Sequence, residues 1–279
     1  MKEDVLRVIG THHKTGTVLM YKAFRDISTA LGHSFFTGRQ EDLPKETSIW
    51  LEDHSHIDPE LIDRPLWGVH LIRHPYDIIA SAYRYHLVCK EDWCISPGYS
   101  EPEILAMPEY RELFSGGRSY QEVLNSLPQS EGLILEIWRS RPNILYMVEW
   151  DYSDPRFLEC KLEDFTRDFD ETFRKVLSHL RLFGSKDAEI LEIAAAHDVS
   201  RWSVSKLKDE PHVTNKSRKL DYRDIFDTEH FRLIGELFPK DLLDVLGYGL
   251  DQDQESHKVS RDAIARARGG RMRRVSFKN

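Results

Sequence analysis

Two cationic strings in the chain have the composition and spacing to grip an anion. The first is His12-His13-Lys14-Thr15-Gly16-Thr17-Val18, between an apolar, β-rich run, Val5–Gly10, and a helical stretch, Thr17–Leu31. A strand, a short loop and a helix N-terminus aim backbone N–H groups at one point. Gly16 lets the backbone curl there, and Lys14 adds a mobile positive charge, so this loop suits phosphate or a group shaped like it. The second string is Arg73-His74-Pro75, followed eight residues after the arginine by Ser81. Arg73 closes the nearly continuous apolar run Leu66–Ile72, and ligands of open α/β sheets bind outside such strand ends. A guanidinium fork takes two oxygens of a phosphate at once.

A third string, Glu52-Asp53-His54-Ser55-His56, is polar and turn-rich and lies between the other two. An imidazole titrates near neutrality and suits general-base work. His56 and His54 are therefore the expected bases, with Glu52 or Asp53 as carboxylate alternatives. His12 and His13 flank the first loop and are expected to line or tune it.

The elements that must position these strings read as α/β. Helix Thr17–Leu31 places Leu19, Ala23, Ile27 and Ala30 on one stripe. Short strands are expected at His33–Phe36 and Ser48–Leu51. The run Leu66–Ile72 has the character of a strand buried on both faces of a parallel sheet. Pro75 then suits the first position of a helix, Tyr76–Leu87. Residues 89–120 are irregular and rich in aromatics, the character of a lid or substrate wall. A helix is expected over Tyr120–Arg139, a strand over Arg156–Leu162, an amphipathic helix over Asp168–Leu180 and another over Asp187–Ala196. Helices over Thr228–Phe238, N-capped by Thr228, and Lys240–Leu246 complete the core. Strands alternating with helices predict a three-layer, doubly wound parallel sheet.

Composition narrows the classes. The 279 residues are 40% hydrophobic and 31% charged, consistent with one domain over residues 1–250 and a tail over 251–279. No stretch reaches the ~20 apolar residues of a membrane span. Met1-Lys2-Glu3-Asp4 leads straight towards a strand without a signal-peptide pattern, so a cytoplasmic location is expected. Cys89, Cys94 and Cys160 are odd in number, lack metal-ligand spacing and are expected to be reduced thiols. Residues 256–279 carry a local charge of +7 against a chain total of −8, leaving an acidic body unsuited to general nucleic-acid binding. The alternation of Ala and Ile with Arg over 262–268 permits a helix in the tail that would pack on a second subunit.

The order Lys14-Thr15-Gly16-Thr17 breaks the Gly-Lys-Ser/Thr order of nucleotide-triphosphate loops. It resembles instead the 5′-phosphosulfate loop of the sulfotransferases that use 3′-phosphoadenosine 5′-phosphosulfate (PAPS). Arg73-His-Pro-Tyr-Asp-Ile-Ile-Ala-Ser81 is similar to that family's second signature, Arg-x-Pro-x-Asp-x-x-x-Ser. Leu162-Glu163-Asp164-Phe165 resembles its Tyr-Glu-Asp-Leu strand end, and Lys216-Ser217-Arg218-Lys219 a shortened closing loop. The resemblance runs from residue 5 to 248. It departs at Leu162, at Leu19, where the cytosolic branch has a tryptophan, and at Leu220, where a glycine would follow Lys219.

The resemblance implies a P-loop-NTPase-like sulfotransferase fold. The implied reaction moves the sulfuryl group of PAPS to a hydroxyl or amine of a small-molecule or carbohydrate acceptor. It releases 3′,5′-adenosine bisphosphate (PAP) and requires no metal. It also implies that His13, Lys14, Thr15, Gly16, Thr17 and Val18 hold the 5′ end of the donor. Arg73 and Ser81 would hold its 3′-phosphate, with Arg218 and Lys219 as further contacts. Two rival readings stay open, a P-loop-type small-molecule kinase and a non-catalytic anion-binding module.

Overall fold

The computed structural model describes residues 5–209 and 221–249. Arg218, Lys219 and the 251–279 tail lie outside the described residues. Among the described residues five strands form one sheet: β1 (Leu6–Gly10), β2 (Phe35–Thr37), β3 (Ile49–Glu52), β4 (Leu66–Ile72) and β5 (Phe157–Lys161). Their order is β2-β3-β1-β4-β5, and every pairing is parallel. Helix α1 (Thr17–Leu31) links β1 to β2. After β4 come α2 (Pro75–His86), α3 (Asp92–Ile95), α4 (Pro102–Leu105), α5 (Pro108–Leu113), α6 (Tyr120–Ser126) and α7 (Gln129–Glu149). After β5 come α8 (Leu162–Arg167), α9 (Phe169–His179), α10 (Asp187–Ala195), α11 (Val204–Asp209), α12 (Thr228–Leu237) and α13 (Leu242–Val245).

The expected α/β class is observed, and the strand order explains the layering. The crossover from β1 to β2 runs towards one edge and that from β4 to β5 towards the other. Right-handed crossovers in opposite directions must pass over opposite faces. On one face Ile9, Ile49, Leu51, Val69 and Leu71 pack with Met20, Ala23, Phe24 and Ile27 of α1 and Phe173, Val176 and Leu177 of α9. On the other, Leu6, Val8, Trp50, Leu66 and Phe157 pack with Leu43, Ile57, Ile62 and Trp150. Ile72 joins that side to the cluster of α2, α6, α7 and the 89–117 segment. Between β1 and β4 the two crossovers diverge, which opens a crevice at the carboxyl edge.

Several element boundaries differ from expectation for local reasons. The expected 120–139 helix is two: α6 has a Ser119–Glu122 capping box and stops before Pro128, where α7 begins and runs on through Pro142 to Glu149. Leu162 does not end β5; it opens α8, whose turn is closed by Lys161 and Asp164. Asp227, not Thr228, caps α12, accepting from the Glu229 and His230 N–H groups. The buried stripe of α1 centres on Met20, Ala23, Phe24 and Ile27, with Leu19 and Ala30 only half-buried at its flanks. Residues 89–117 are not simply irregular but hold three short helices over an aromatic core of Tyr99, Phe114 and Tyr120.

Candidate functional site

The carboxyl edge gathers the loops after β1, β3, β4 and β5. The loop after β1 is built around the backbone of His12. The Thr15 hydroxyl accepts from His12 N–H and donates to His12 C=O, and Thr15 N–H also bonds that carbonyl. Thr17 Oγ1 lies 2.9 Å from Thr11 Oγ1 and 3.2 Å from the same carbonyl. The Thr15 hydroxyl is thus engaged inside the loop, where the resemblance had offered it to the donor.

Gly16 has φ 113°, open to glycine alone without strain, and an added Cβ would stand 3.0 Å from Leu162 Cδ1. Lys14 itself has φ 66°, a left-handed conformation that a non-glycine residue holds only under constraint. The constraint is visible. Asn143 Oδ1 accepts from His13 N–H at 3.1 Å, and Arg73 Nη1 donates to Lys14 C=O at 3.0 Å.

That last bond joins the two strings: the guanidinium at the end of β4 rests on the loop after β1, at the diverging crossovers. The Lys14 ammonium lies 3.7 Å from the centre of the Tyr85 ring. Burial lowers its pKa to about 8, with the Arg73 charge acting in the same direction. The first α1 bond runs from Met20 N–H to Gly16 C=O. The N–H groups of Thr17, Val18 and Leu19 therefore have no acceptor within the helix. Ser81 is buried on α2. A cavity of about 300 Å³ opens beside the loop, lined by Thr17, Val18, Tyr21, Thr37 and Asp53 among others. Its size suits a small ligand.

The loop after β3 is held by Glu52. Its buried carboxylate accepts from His54 N–H at 2.9 Å and His56 N–H at 2.7 Å, so it is engaged as a clamp on the loop. The two imidazoles lie outward: His54 is 54% exposed, and the His56 ring lies 4.3 Å from that of Tyr146. Asp53 is exposed at the cavity mouth. After β5, Glu163 accepts from His74 N–H and from the Tyr248 hydroxyl, tying the Arg73 loop to the chain after α13.

Two buried histidine pairs were not expected from the sequence. His70, in mid-β4, bonds Glu159 through Nδ1 at 2.6 Å and His12 through Nε2 at 2.8 Å, while Trp150 Nε1 donates to the other Glu159 oxygen. Burial holds the His12 and His70 imidazoles neutral and pushes the Glu159 carboxyl up to about 7. His86, at the end of α2, bonds Glu136 through Nδ1 at 2.8 Å. A histidine inside the apolar run 66–72 was the one available signal for the first pair. The second joins residues 50 apart and left no local signal. All three cysteines are free and buried, and among the described residues no cluster of metal-ligand type occurs.

No protein-family model matches the sequence, and no curated protein matches it. Among solved structures, the chain is similar to mouse sulfotransferase SULT7A1 complexed with PAP. The identity is 16%, covering 89% of this chain and 90% of that one, with a TM-score of 0.46. It is also similar to retinol dehydratase in complex with androsterone and inactive cofactor PAP. There the identity is 14% over 87% and 81% of the two chains, with a TM-score of 0.42. No helix among the described residues is long and apolar enough to cross a membrane.

Proposed function

We propose that the chain is a PAPS-dependent sulfotransferase acting on a hydroxyl or amine of a small molecule or carbohydrate. The observation that carries this reading is the Arg73–Lys14 bond, which puts the two cationic strings in one crevice. Two such grips suit a ligand with anionic groups at both ends, and PAPS has a phosphosulfate at one end and a 3′-phosphate at the other.

Sulfuryl transfer resembles phosphoryl transfer, so positioning and charge supply most of the acceleration. As the sulfur leaves the bridging oxygen, negative charge grows on the 5′-phosphate. Lys14 and the N–H groups of Thr17 and Val18 are the groups to receive it. Arg73, with Ser81, takes the 3′-phosphate. His13 and Gly16 shape the loop, and the Thr17 hydroxyl braces it through Thr11 and the His12 carbonyl. Thr15 serves the loop from within. Arg218 and Lys219 keep the donor-binding role the resemblance implies.

The test is calorimetric binding of PAP and ATP together with release of labelled sulfate groups from PAPS to a panel of hydroxylated acceptors. PAP binding with transfer from PAPS supports the reading. Preference for ATP with phosphoryl transfer supports a kinase, and binding of neither supports a non-catalytic module.

A further inference from the structure

We propose that His86, oriented by Glu136, is the base that takes the proton from the acceptor, where the phosphate loop meets the 89–120 segment. The proposal rests on the sulfuryl-transfer reading above and moves the base away from His54 and His56.

The geometry is that of an imidazole made ready by a buried carboxylate. Glu136 of α7 is fully buried and receives three hydrogen bonds: from His86 Nδ1 at 2.8 Å, the Tyr120 hydroxyl at 2.8 Å and the Ser140 hydroxyl at 3.2 Å. The three donors fix both carboxylate oxygens in place. With its Nδ1 proton committed to that carboxylate, neutral His86 has a bare lone pair on Nε2. A carboxylate that fixes the tautomer and steadies the imidazolium is the arrangement by which histidine serves as a base. Nε2 is buried and has no hydrogen-bond partner among the described residues. The His54 imidazole, by contrast, lies 3.9 Å from the Asp53 carboxylate and is half-exposed.

The position fits the reaction. The His86 ring stacks on that of His13 at 5.2 Å between centroids, and His13 directly precedes Lys14. Glu136 lies close enough to Lys14 for its charge to raise the lysine pKa. His86 therefore stands beside the group assigned to the leaving phosphate.

The surroundings indicate the acceptor. Besides His86 Nε2, the buried atoms His13 Nε2, Tyr99 Oη and Arg139 Nε have no hydrogen-bond partner among the described residues. They belong to one contact network. The Arg139 guanidinium lies 4.6 Å over the Trp93 ring, Trp93 meets His86 edge-on at 4.9 Å, and Tyr99 packs on Tyr120 at 5.1 Å. Each unpaired buried polar atom is destabilising until something pairs with it. Four of them among aromatic rings suit an acceptor with several hydrogen-bonding oxygens on a flat face, a polyhydroxylated ring or sugar, over a bare hydrocarbon.

In the step itself, the acceptor oxygen forms the new O–S bond while the bond from sulfur to the bridging oxygen breaks. Its electron pair stays on the 5′-phosphate, and the acceptor proton passes to His86 Nε2. The imidazolium, paired with Glu136, returns the proton to water after product release.

The test uses the full chain, 35S-labelled PAPS with water as the acceptor, and calorimetric PAP binding. The titratable groups in contact with His86 are His13 from the phosphate loop, Tyr85 of its own helix, Cys94 of α3, Tyr120 of α6 and Glu136 of α7; Lys14, Glu91 and Arg139 stand one contact further out, on Tyr85 and Trp93. H86Q is expected to bind PAP within about twofold of the wild type and to consume PAPS at least about tenfold more slowly. The wild-type rate is expected to rise with pH through one ionisation that H86Q lacks. E136Q keeps the imidazole and is expected to move that ionisation to lower pH, which carries the test if H86Q fails to fold.

Equal rates and pH profiles in wild type and H86Q, with PAP bound by both, overturn this inference alone, even where both match the uncatalysed rate. An unmoved profile in a PAP-binding E136Q does the same. A wild type that does not bind PAP overturns the sulfotransferase reading beneath it.

Discussion

Burial places the Lys14 pKa at about 8, so binding of a phosphate there is linked to a proton. At pH 7 about nine-tenths of the free protein carries a charged Lys14, and at pH 9 about one-tenth does. A bound 5′-phosphate favours the cation and returns the pKa towards the ordinary lysine value of about 10.4. The sign follows: PAP binds the protonated form, so affinity is full below pH 8 and falls as pH rises through it. If the bound pKa exceeds about 10, the dissociation constant rises about tenfold between pH 7 and pH 9. The phosphates of PAP, with second pKa values near 6, add little over this range. Calorimetry in two buffers of different ionisation enthalpy should show uptake of about half a proton per PAP at pH 8, and of none in Lys14→Met. Absence of proton uptake in the wild type, or equal uptake in Lys14→Met, would refute the assignment of Lys14 to the phosphate.

Further predictions concern the supports of the site. Glu163→Ala leaves His74 N–H and the Tyr248 hydroxyl without their acceptor, and should cost about 2 kcal/mol in urea unfolding; a cost under about 0.5 kcal/mol contradicts the tie. His70→Phe keeps a ring against Trp150 but removes the bonds to His12 and Glu159, and should cost about 2–3 kcal/mol while weakening PAP binding through the loop. Unchanged PAP affinity in that variant would separate the pair from the loop. His13 has its pKa lowered mainly by burial, so its contribution to stability is full above pH 6.5 and lost as pH falls below it. Urea midpoints between pH 7 and pH 5 should therefore fall less steeply in His13→Asn, by up to one proton's slope; an identical slope contradicts the burial argument.

Legibility in the sequence followed the range of the interactions. Helix Thr17–Leu31 and strand Leu66–Ile72 were readable because periodicity, an apolar run and glycine or proline at the ends are local signals. The place of the Lys14 and Arg73 strings, each directly after a strand, was readable for the same reason. Their mutual contact was not, since residues 59 apart meet only through the parallel pairing of β1 with β4. The break at Pro128 was hidden because the apolar period continues across it, while Pro142 is tolerated inside α7. The His86–Glu136 and His70–Glu159 pairs were hidden for the same reason as the Lys14–Arg73 contact: each is made by packing, not by spacing. The Glu52 clamp was misread because a carboxylate beside histidines suggests chemistry before it suggests a turn.

The central claim, that Lys14 and Arg73 hold opposite ends of one nucleotide, is tested most directly by binding PAP and adenosine 5′-phosphate to Arg73→Ala and Lys14→Met. Arg73→Ala is expected to weaken PAP about tenfold more than adenosine 5′-phosphate: both lose the Arg73 support of the Lys14 loop, and PAP alone also loses the charge-assisted bonds to its 3′-phosphate. Lys14→Met should weaken both. Equal losses of the two nucleotides in Arg73→Ala, or full PAP affinity in either variant, would contradict it.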